Sequence, residues 1–306
     1  MDSLSWASPA HPPVFSLAAA AGPSSNLPVA RNTWGQMALE IIERFSEGKF
    51  RDGRNEDRIF TGEYFAAVID GSSATKPIAG RAGGIIAAEL IARVLGQLEP
   101  TSKIDGFIAA ATTALKGVAS SYDVPSPFAA TVVYSIQRRE IWRVGDCPFS
   151  IDGVWNIPGY NPHEQGFLAF RSMMLDGYAK MGGTGACEPT PVLDACAQDW
   201  LAMTKYWVNA DDSRNAFAAV DERSPSERFV EVFRVRDEAR SLALASDGAI
   251  VSPKGRRGPL DAQDMLDQIA LLRLHDPHGV KLFPYWRGFI AGSTYLDDTT
   301  LLRFHL

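Results

Sequence analysis

The sequence has few cysteines, no long apolar run and no excess of basic residues. Its 306 residues include three cysteines, and none forms a C-x-x-C pair or a zinc-ligand spacing. This sparse, odd count favours a reducing compartment over a disulfide scaffold, so we expect a cytoplasmic protein. No stretch of 18 apolar residues is present, so no membrane span is expected. A net charge of −6 gives no support for nucleic-acid binding.

Motifs for covalent hydrolysis are also missing. The chain has no G-x-S-x-G elbow, and none of its cysteines lies in a C-x5-R phosphate loop. A hydrolase built on this sequence would therefore not use either of these side-chain nucleophiles.

Composition divides the chain into regions. Residues 1–35 are rich in Pro, Ser and Ala without a clear period, which is typical of a loosely ordered extension. Residues 13–21 resemble a short signal core, but no Lys or Arg precedes them, so a secretory signal is not expected. The folded domain is predicted at 36–306, and its segment 155–228 carries no recognisable motif.

Periodic patterns predict an α+β fold. Spacings of three and four between apolar residues predict a helix at 77–98, and a second helix is predicted at 104–120. A start signal at Asp261 predicts a helix at 262–274, and helices are also expected near 162–180 and 192–205, where the pattern is weakest. β-branched and aromatic runs predict strands at 38–45 (with a short helix as the alternative), 58–62, 64–69, 128–136, 141–144, 149–154, 229–235, 241–245 and 299–304. We interpret 229–235 and 241–245 as a hairpin.

Acidic residues recur where apolar strands begin or end. The sites are Val68-Ile69-Asp70-Gly71, Val144-Gly145-Asp146, Ala245-Ser246-Asp247-Gly248 and Asp297-Asp298, with Glu56-Asp57 upstream. A single Asp-Gly after a strand is usually only a turn, and an acidic turn without a ligand is the alternative at each place. Repetition along the chain favours acids that converge at one rim of a sheet, where a hard divalent cation would balance their charge.

In order, these motifs resemble those of the type 2C metal-dependent protein phosphatases. The matching elements are Asn55-Glu56-Asp57, Val68-Ile69-Asp70-Gly71, Ala130-Thr131, Val144-Gly145-Asp146, Ala245-Ser246-Asp247-Gly248 and Asp297-Asp298-Thr299-Thr300. The match runs from about residue 38 to 306. The resemblance implies a four-layer α-β-β-α sandwich with two Mg²⁺ or Mn²⁺ ions, and a third ion is an open expectation.

The resemblance also assigns residues. Asp70 would bridge both metals, the Gly71 carbonyl would bind one of them, and Asp247 and Asp297 would hold the other. The implied activity is hydrolysis of phosphoserine and phosphothreonine in proteins, by attack of a metal-bridging hydroxide on phosphorus. A phosphorylated protein and a kinase-linked pathway would then be the partners, without nucleic acid or membrane.

Three further acids receive roles from the same resemblance. Glu56 would act through a metal-bound water, and Asp57 would be a metal ligand or would contact one. Asp146 would support a third, weaker metal site together with Asp247. Asp298 stands where the family usually has Asn.

Two departures from the family pattern affect the site. The phosphate-binding Arg usually lies four residues before the Glu, where this chain has Asp52. Arg51 and Arg54 flank that position and are the candidates to replace it. Ser72 stands where some members carry a His that is a candidate general acid. These departures keep two alternatives open: a non-catalytic phosphatase-like binding module, and a hydrolase of small phosphate esters.

Other signals have simpler interpretations. His275 and His278 flank Pro277, which indicates a loop rather than a metal pair. The Gly-rich stretch 182–185 is interpreted as a turn, and the basic stretch 254–257 as a solvated loop. The aromatic residues at 283, 285 and 286 are expected to pack in the core or a lid.

Overall fold

A computed structural model describes residues 39–72, 77–123, 125–159, 161–181, 189–251, 257–285 and 288–306. The predicted extension, the Gly-rich turn at 182–185, residues 254–256 and Trp286 lie outside these ranges. The division of the chain at residue 35 therefore stays a prediction.

Ten strands in the described part of the chain form two antiparallel sheets. The strands are β1 Glu40–Glu47, β2 Arg58–Thr61, β3 Phe65–Gly71, β4 Ala129–Ser135, β5 Glu140–Val144, β6 Phe149–Ile151, β7 Val154–Asn156, β8 Val230–Arg234, β9 Ser241–Ala245 and β10 Thr299–His305. One sheet has the order β2-β3-β4-β5-β8, and the other has the order β1-β10-β9-β6-β7. β1 thus pairs with β10, the last strand.

Five α-helices accompany the sheets in the same described ranges. They are α1 Gly83–Leu95, α2 Ile104–Tyr122, α3 Pro162–Lys180, α4 Pro189–Trp207 and α5 Ala262–His275. The predicted start of the first helix at Pro77 is wrong, because Ile78 and Arg81 exchange two backbone hydrogen bonds around a turn. Within this turn Ala79 and Gly80 have positive φ angles of 50° and 79°, which a helix does not allow.

Successive side chains of a strand point to opposite faces of its sheet, and packing on both faces gives four layers. On β3, Phe65, Ala67 and Ile69 pack with the buried faces of α1 and α2, whereas Ala66 and Val68 point to the opposite side. That opposite side packs against buried residues of β9 and β10, so it forms the layer between the sheets. The outer face of β9 and β10 packs against α5. The α-β-β-α sandwich, and with it the predicted α+β class, is confirmed.

Two strand predictions needed correction. Residues 229–235 and 241–245 do not form a hairpin: β8 pairs with β5 in one sheet, and β9 pairs with β10 and β6 in the other. The connecting residues Val235 and Ala239 are buried in the layer between the sheets, so the chain crosses there from one sheet to the other. The strand predicted at 149–154 is a hairpin of β6 and β7, with Asp152 and Gly153 at positive φ.

No helix among the described residues is both long enough and apolar enough to cross a lipid bilayer.

Trp142 should be a main contributor to stability. Its side chain is 1% exposed, and its ring lies 5.6 Å from that of Phe65 and 6.2 Å from that of Phe107. We expect Trp142→Ala to lower the free energy of unfolding by about 3–5 kcal/mol in urea titrations, because it leaves a cavity between the sheet and α2. Val232→Ala changes the residue opposite Trp142 on β8, which is 50% exposed, and should cost less than about 1 kcal/mol. Equal losses in both variants would contradict this assignment.

Candidate active site

Four aspartates from both sheets line one cavity. Asp70 lies near the end of β3, Asp146 follows β5, Asp247 follows β9 and Asp297 precedes β10. β3 and β5 both run antiparallel to β4, so their ends lie at the same edge of their sheet. β9 and β10 are antiparallel partners, so the end of one lies beside the start of the other. All four acids border one cavity that is open to solvent.

Asp57 and Asp298 complete the acidic cluster. Asp57 is 1% exposed, and within the described residues neither of its carboxylate oxygens has a partner in hydrogen-bond geometry. Asp298 accepts the backbone N–H of Lys49 at 2.6 Å on one oxygen and that of Glu56 at 2.7 Å on the other. A carboxylate can accept both amides, whereas the amide side chain of Asn offers one acceptor oxygen, which accounts for Asp at this position.

The clustered acids resist ionisation. Burial, followed by the nearby charges of Asp57, Asp247, Asp146 and Asp297, raises the pKa of Asp70 well above its ordinary value. Burial and the neighbouring acids raise the pKa of Asp247 in the same way. Burial and the charge of Asp298 raise the pKa of Asp57 to about 8, although the hydroxyls of Ser246 and Thr300 oppose the rise. A cation in the cavity would relieve this mutual repulsion.

Asp297 is the exception in the cluster. Burial opposes its charge, but the ammonium of Lys49, the hydroxyl of Tyr285 and the backbone N–H of Asp298 together lower its pKa. Lys49 Nζ lies 2.9 Å from Asp297 Oδ1, and Tyr285 donates its hydroxyl to Oδ2 at 2.5 Å. One acid of the cluster is thus balanced by the protein itself. Lys49 lies in a polar loop and no sequence pattern marks it, whereas Tyr285 was expected only to pack in the core or a lid.

Close backbone contacts hold Glu56 beside Asp70. A Cβ added to Gly71 would lie 2.4 Å from the carbonyl oxygen of Gly84 and 2.5 Å from that of Glu56. A Cβ on Gly84 would lie 2.3 Å from Glu56 Oε2. The end of β3 can therefore approach the first turn of α1 only with glycine at both positions. The Glu56 carboxylate lies at this helix N-terminus, where a negative charge is favourable.

The donor chemistry of the cluster fits a hard divalent cation. Carboxylate oxygens are the preferred ligands of Mg²⁺ and Mn²⁺. The two buried oxygens of Asp57 have no hydrogen-bond partner within the described residues, and a cation or a cation-bound water would satisfy them. In the present side-chain positions, however, no three His, Cys, Asp or Glu residues of the described ranges form a ready ligand group. The residues fit a metal by their chemistry, and Asp297 is held by Lys49 instead.

The two candidate phosphate-binding arginines lie away from this cavity. Arg54 pairs with Asp52 at 2.6 Å, and its side chain is 75% exposed. Arg51 is also exposed, and neither arginine borders the cavity. Their role in phosphate binding stays a prediction.

The segment 155–228 forms the other wall of the cavity. His163, Trp200 and Phe217 border it from this side, and the His163 ring lies 4.5 Å from that of Phe217 and 5.4 Å from that of Trp200. Asn161 donates a hydrogen bond to Asp146 at 3.3 Å, and Glu164 contributes a further carboxylate to the lining. A segment without sequence motifs therefore supplies an aromatic surface opposite the acids.

Comparisons with known proteins give matches among solved structures. No protein-family model and no curated protein matches the chain. The serine/threonine phosphatase PstP/Ppp of Mycobacterium tuberculosis is 15% identical, with 88% of this chain and 98% of that chain covered and a TM-score of 0.48. Stp1 from Staphylococcus aureus, a serine/threonine phosphatase, is 16% identical over 88% and 95% of the two chains, with a TM-score of 0.47.

A third solved structure is the catalytic domain of PstP in complex with two manganese ions. It is 14% identical, with 88% of this chain and 99% of that chain covered and a TM-score of 0.46. Identities and TM-scores of this size record a similarity and assign no activity, metal or substrate to this chain.

His163 should make stability depend on pH. Burial lowers the pKa of His163 to about 4, whereas an unfolded His titrates near 6.5. The folded state therefore keeps His163 neutral. The contribution of neutral His163 to the free energy of unfolding is complete above about pH 6.5 and is lost as the pH falls toward 4. We expect a loss of up to about 3 kcal/mol from this residue. The measurement is urea unfolding of metal-free protein at pH 7 and pH 5.

His163→Phe is the matched variant for this measurement. The clustered acids change stability with the opposite sign over the same pH range, because their raised pKa values favour the protonated folded state. Only the difference in the free energy of unfolding, wild type minus His163→Phe, is therefore informative. This difference should fall on going from pH 7 to pH 5. A difference that does not change with pH would contradict the neutral His163.

Proposed function

We propose that the protein is a metal-dependent phosphatase that hydrolyses phosphoserine and phosphothreonine in proteins. The observation that carries this proposal is the convergence of Asp70, Asp146, Asp247 and Asp297, from both sheets, on one cavity. Six buried or half-buried acids in one place are a costly arrangement unless a cation compensates them. Phosphoryl transfer is a reaction in which bound cations supply most of the required stabilisation.

Bound Mg²⁺ or Mn²⁺ would lower the pKa of a water molecule and neutralise charge on the phosphoryl oxygens. We assign Asp70 the central role in cation binding, because it borders the cavity together with Asp146, Asp247 and Asp297. The Gly71 backbone approaches the same place because Gly71 carries no side chain.

The remaining residues position this machinery. Asp298 ties the loop that carries Lys49 and Glu56 to the start of β10 through two backbone hydrogen bonds. Glu56 is thereby held beside Gly71, where it would orient water. Tyr285 and Lys49 hold the carboxylate of Asp297 in one orientation.

Phosphatase assays test the proposal directly. Purified protein should hydrolyse p-nitrophenyl phosphate and a phosphothreonine peptide with Mn²⁺ or Mg²⁺ but not with EDTA. Asp70→Asn should reduce kcat/KM at least about 100-fold, because it removes the central acid. Asp105→Asn, an exposed acid on α2, should leave activity unchanged.

Two results would contradict the proposal. One is turnover that survives EDTA or Asp70→Asn. The other is no turnover with any metal in a protein whose circular dichroism and cooperative unfolding show that it is folded. The second result would favour a non-catalytic binding module.

A phosphoprotein substrate also implies partners. A protein kinase must add the phosphate that this protein removes, so a kinase-linked pathway is part of the proposal. A cytoplasmic location agrees with the low cysteine count and belongs to the same proposal.

A small phosphate ester is the second candidate substrate, and the aromatic wall favours it. His163, Trp200 and Phe217 give the cavity a surface that would pack against a flat apolar leaving group. A phosphorylated side chain of a protein would place only its own carbons against this wall.

Steady-state kinetics separate the two substrate classes. If a small aryl ester is the substrate, Phe217→Leu should raise KM for p-nitrophenyl phosphate about 3- to 10-fold, because it removes a ring contact from the cavity. The phosphopeptide should be hydrolysed poorly by both proteins. Phe170→Leu, at an exposed position on α3, is the control and should leave KM unchanged. An unchanged KM in Phe217→Leu would contradict this second candidate.

A further inference from the structure

We propose that Lys49 is a built-in cation of the acidic cluster, so that the centre binds one divalent ion tightly instead of two. The proposal rests on the metal dependence proposed above, but its test measures metal binding rather than turnover. The resemblance to type 2C phosphatases implies an ion held by Asp247 and Asp297. The structure gives Asp297 another partner.

Both oxygens of Asp297 are engaged by the protein. Lys49 Nζ lies 2.9 Å from Oδ1, and the two side chains are 10% and 21% exposed. Tyr285 donates its hydroxyl to Oδ2 at 2.5 Å. The attraction within such a shielded, charge-assisted pair is screened less by solvent and salt than that of an ion pair at the surface. Oδ1 also accepts the backbone N–H of Asp298 at 2.9 Å, so its acceptor sites are filled. A divalent ion on the remaining site of Oδ2 would be repelled by the nearby Lys49 ammonium.

The backbone of Lys49 is fixed, so this contact is not that of a mobile surface lysine. Its N–H donates to Asp298 at 2.6 Å, and its carbonyl oxygen accepts the N–H of Thr294 at 2.8 Å. The residue before it, Gly48, lies so close to the Arg54 carbonyl that an added Cβ would be 1.9 Å from that oxygen. The loop therefore delivers the ammonium to a single place.

The other acids remain available for one ion. Asp70 and Asp247 border the cavity, and Asp57 is buried with neither carboxylate oxygen hydrogen-bonded within the described residues. None of these three has a Lys or Arg partner in an ion pair within the described part of the chain. The Lys49 ammonium supplies the positive charge beside Asp297 that a second ion would otherwise supply.

Titration of metal-free protein with Mn²⁺ tests the proposal. Calorimetry should give one tight site for wild type, and electron paramagnetic resonance should show an isolated Mn²⁺ ion. Lys49→Met keeps the length of the side chain but removes its charge, so it should raise the tight stoichiometry from one to two and produce the spectrum of an exchange-coupled pair. Lys103→Met, an exposed lysine before α2, is the control and should bind like wild type.

Lys49→Arg covers the case in which Lys49→Met fails to fold. It keeps the positive charge, and it should retain one tight Mn²⁺ ion and no coupled spectrum. The proposal is overturned by a coupled pair of tightly bound ions in wild type, by equal stoichiometries in wild type and Lys49→Met, or by no binding to wild type. One tight ion without phosphatase turnover would support the role of Lys49 and contradict the proposed function. Two tightly bound ions in wild type together with turnover would support the proposed function and contradict the role of Lys49.

Discussion

Repulsion among carboxylates at the shared rim of the two sheets is the constraint on which the site depends. The apolar layer between the sheets brings the ends of β3, β5, β9 and β10 to one place, and each of them carries an aspartate. Packing thus places like charges close together in a partly desolvated cavity, which raises the pKa of Asp70 and Asp247. The core stabilises an arrangement that the acids alone would oppose.

Much of the fold follows from local patterns. The helix predicted at 262–274 matches α5 to within one residue, because its N-cap Asp261 accepts the backbone N–H of Asp264, only three residues away. Strand pairing was harder, because alternation shows that β8 and β9 are strands but not which neighbours they take. The six residues between β8 and β9 are few enough for a hairpin. Instead, Val235 and Ala239 are buried between the sheets, and the chain crosses there to the other sheet.

The acidic half of the site was predictable and its cationic half was not. Asp70, Asp146 and Asp247 each stand at a strand end beside glycine, a pattern that recurs often enough to be noticed. Lys49 has no such pattern, because its position depends on a contact with Asp297 that is 248 residues away in the chain. The wall made by His163 and Phe217 likewise depends on how α3 and α4 pack, which no local spacing encodes.

The pairing of β1 with β10 has a consequence for biosynthesis. Glu56 and Asp57 follow β1, whereas Asp297 and Asp298 precede β10, so the cluster joins residues from opposite regions of the sequence. Contacts over such separations form late, because a long loop must close before they contribute any stabilisation. During translation the acids near residue 57 therefore lack Asp297 and Asp298 as neighbours until β10 has left the ribosome. A chain cut short before β10 keeps the strands of the first sheet but has no complete metal-binding cluster.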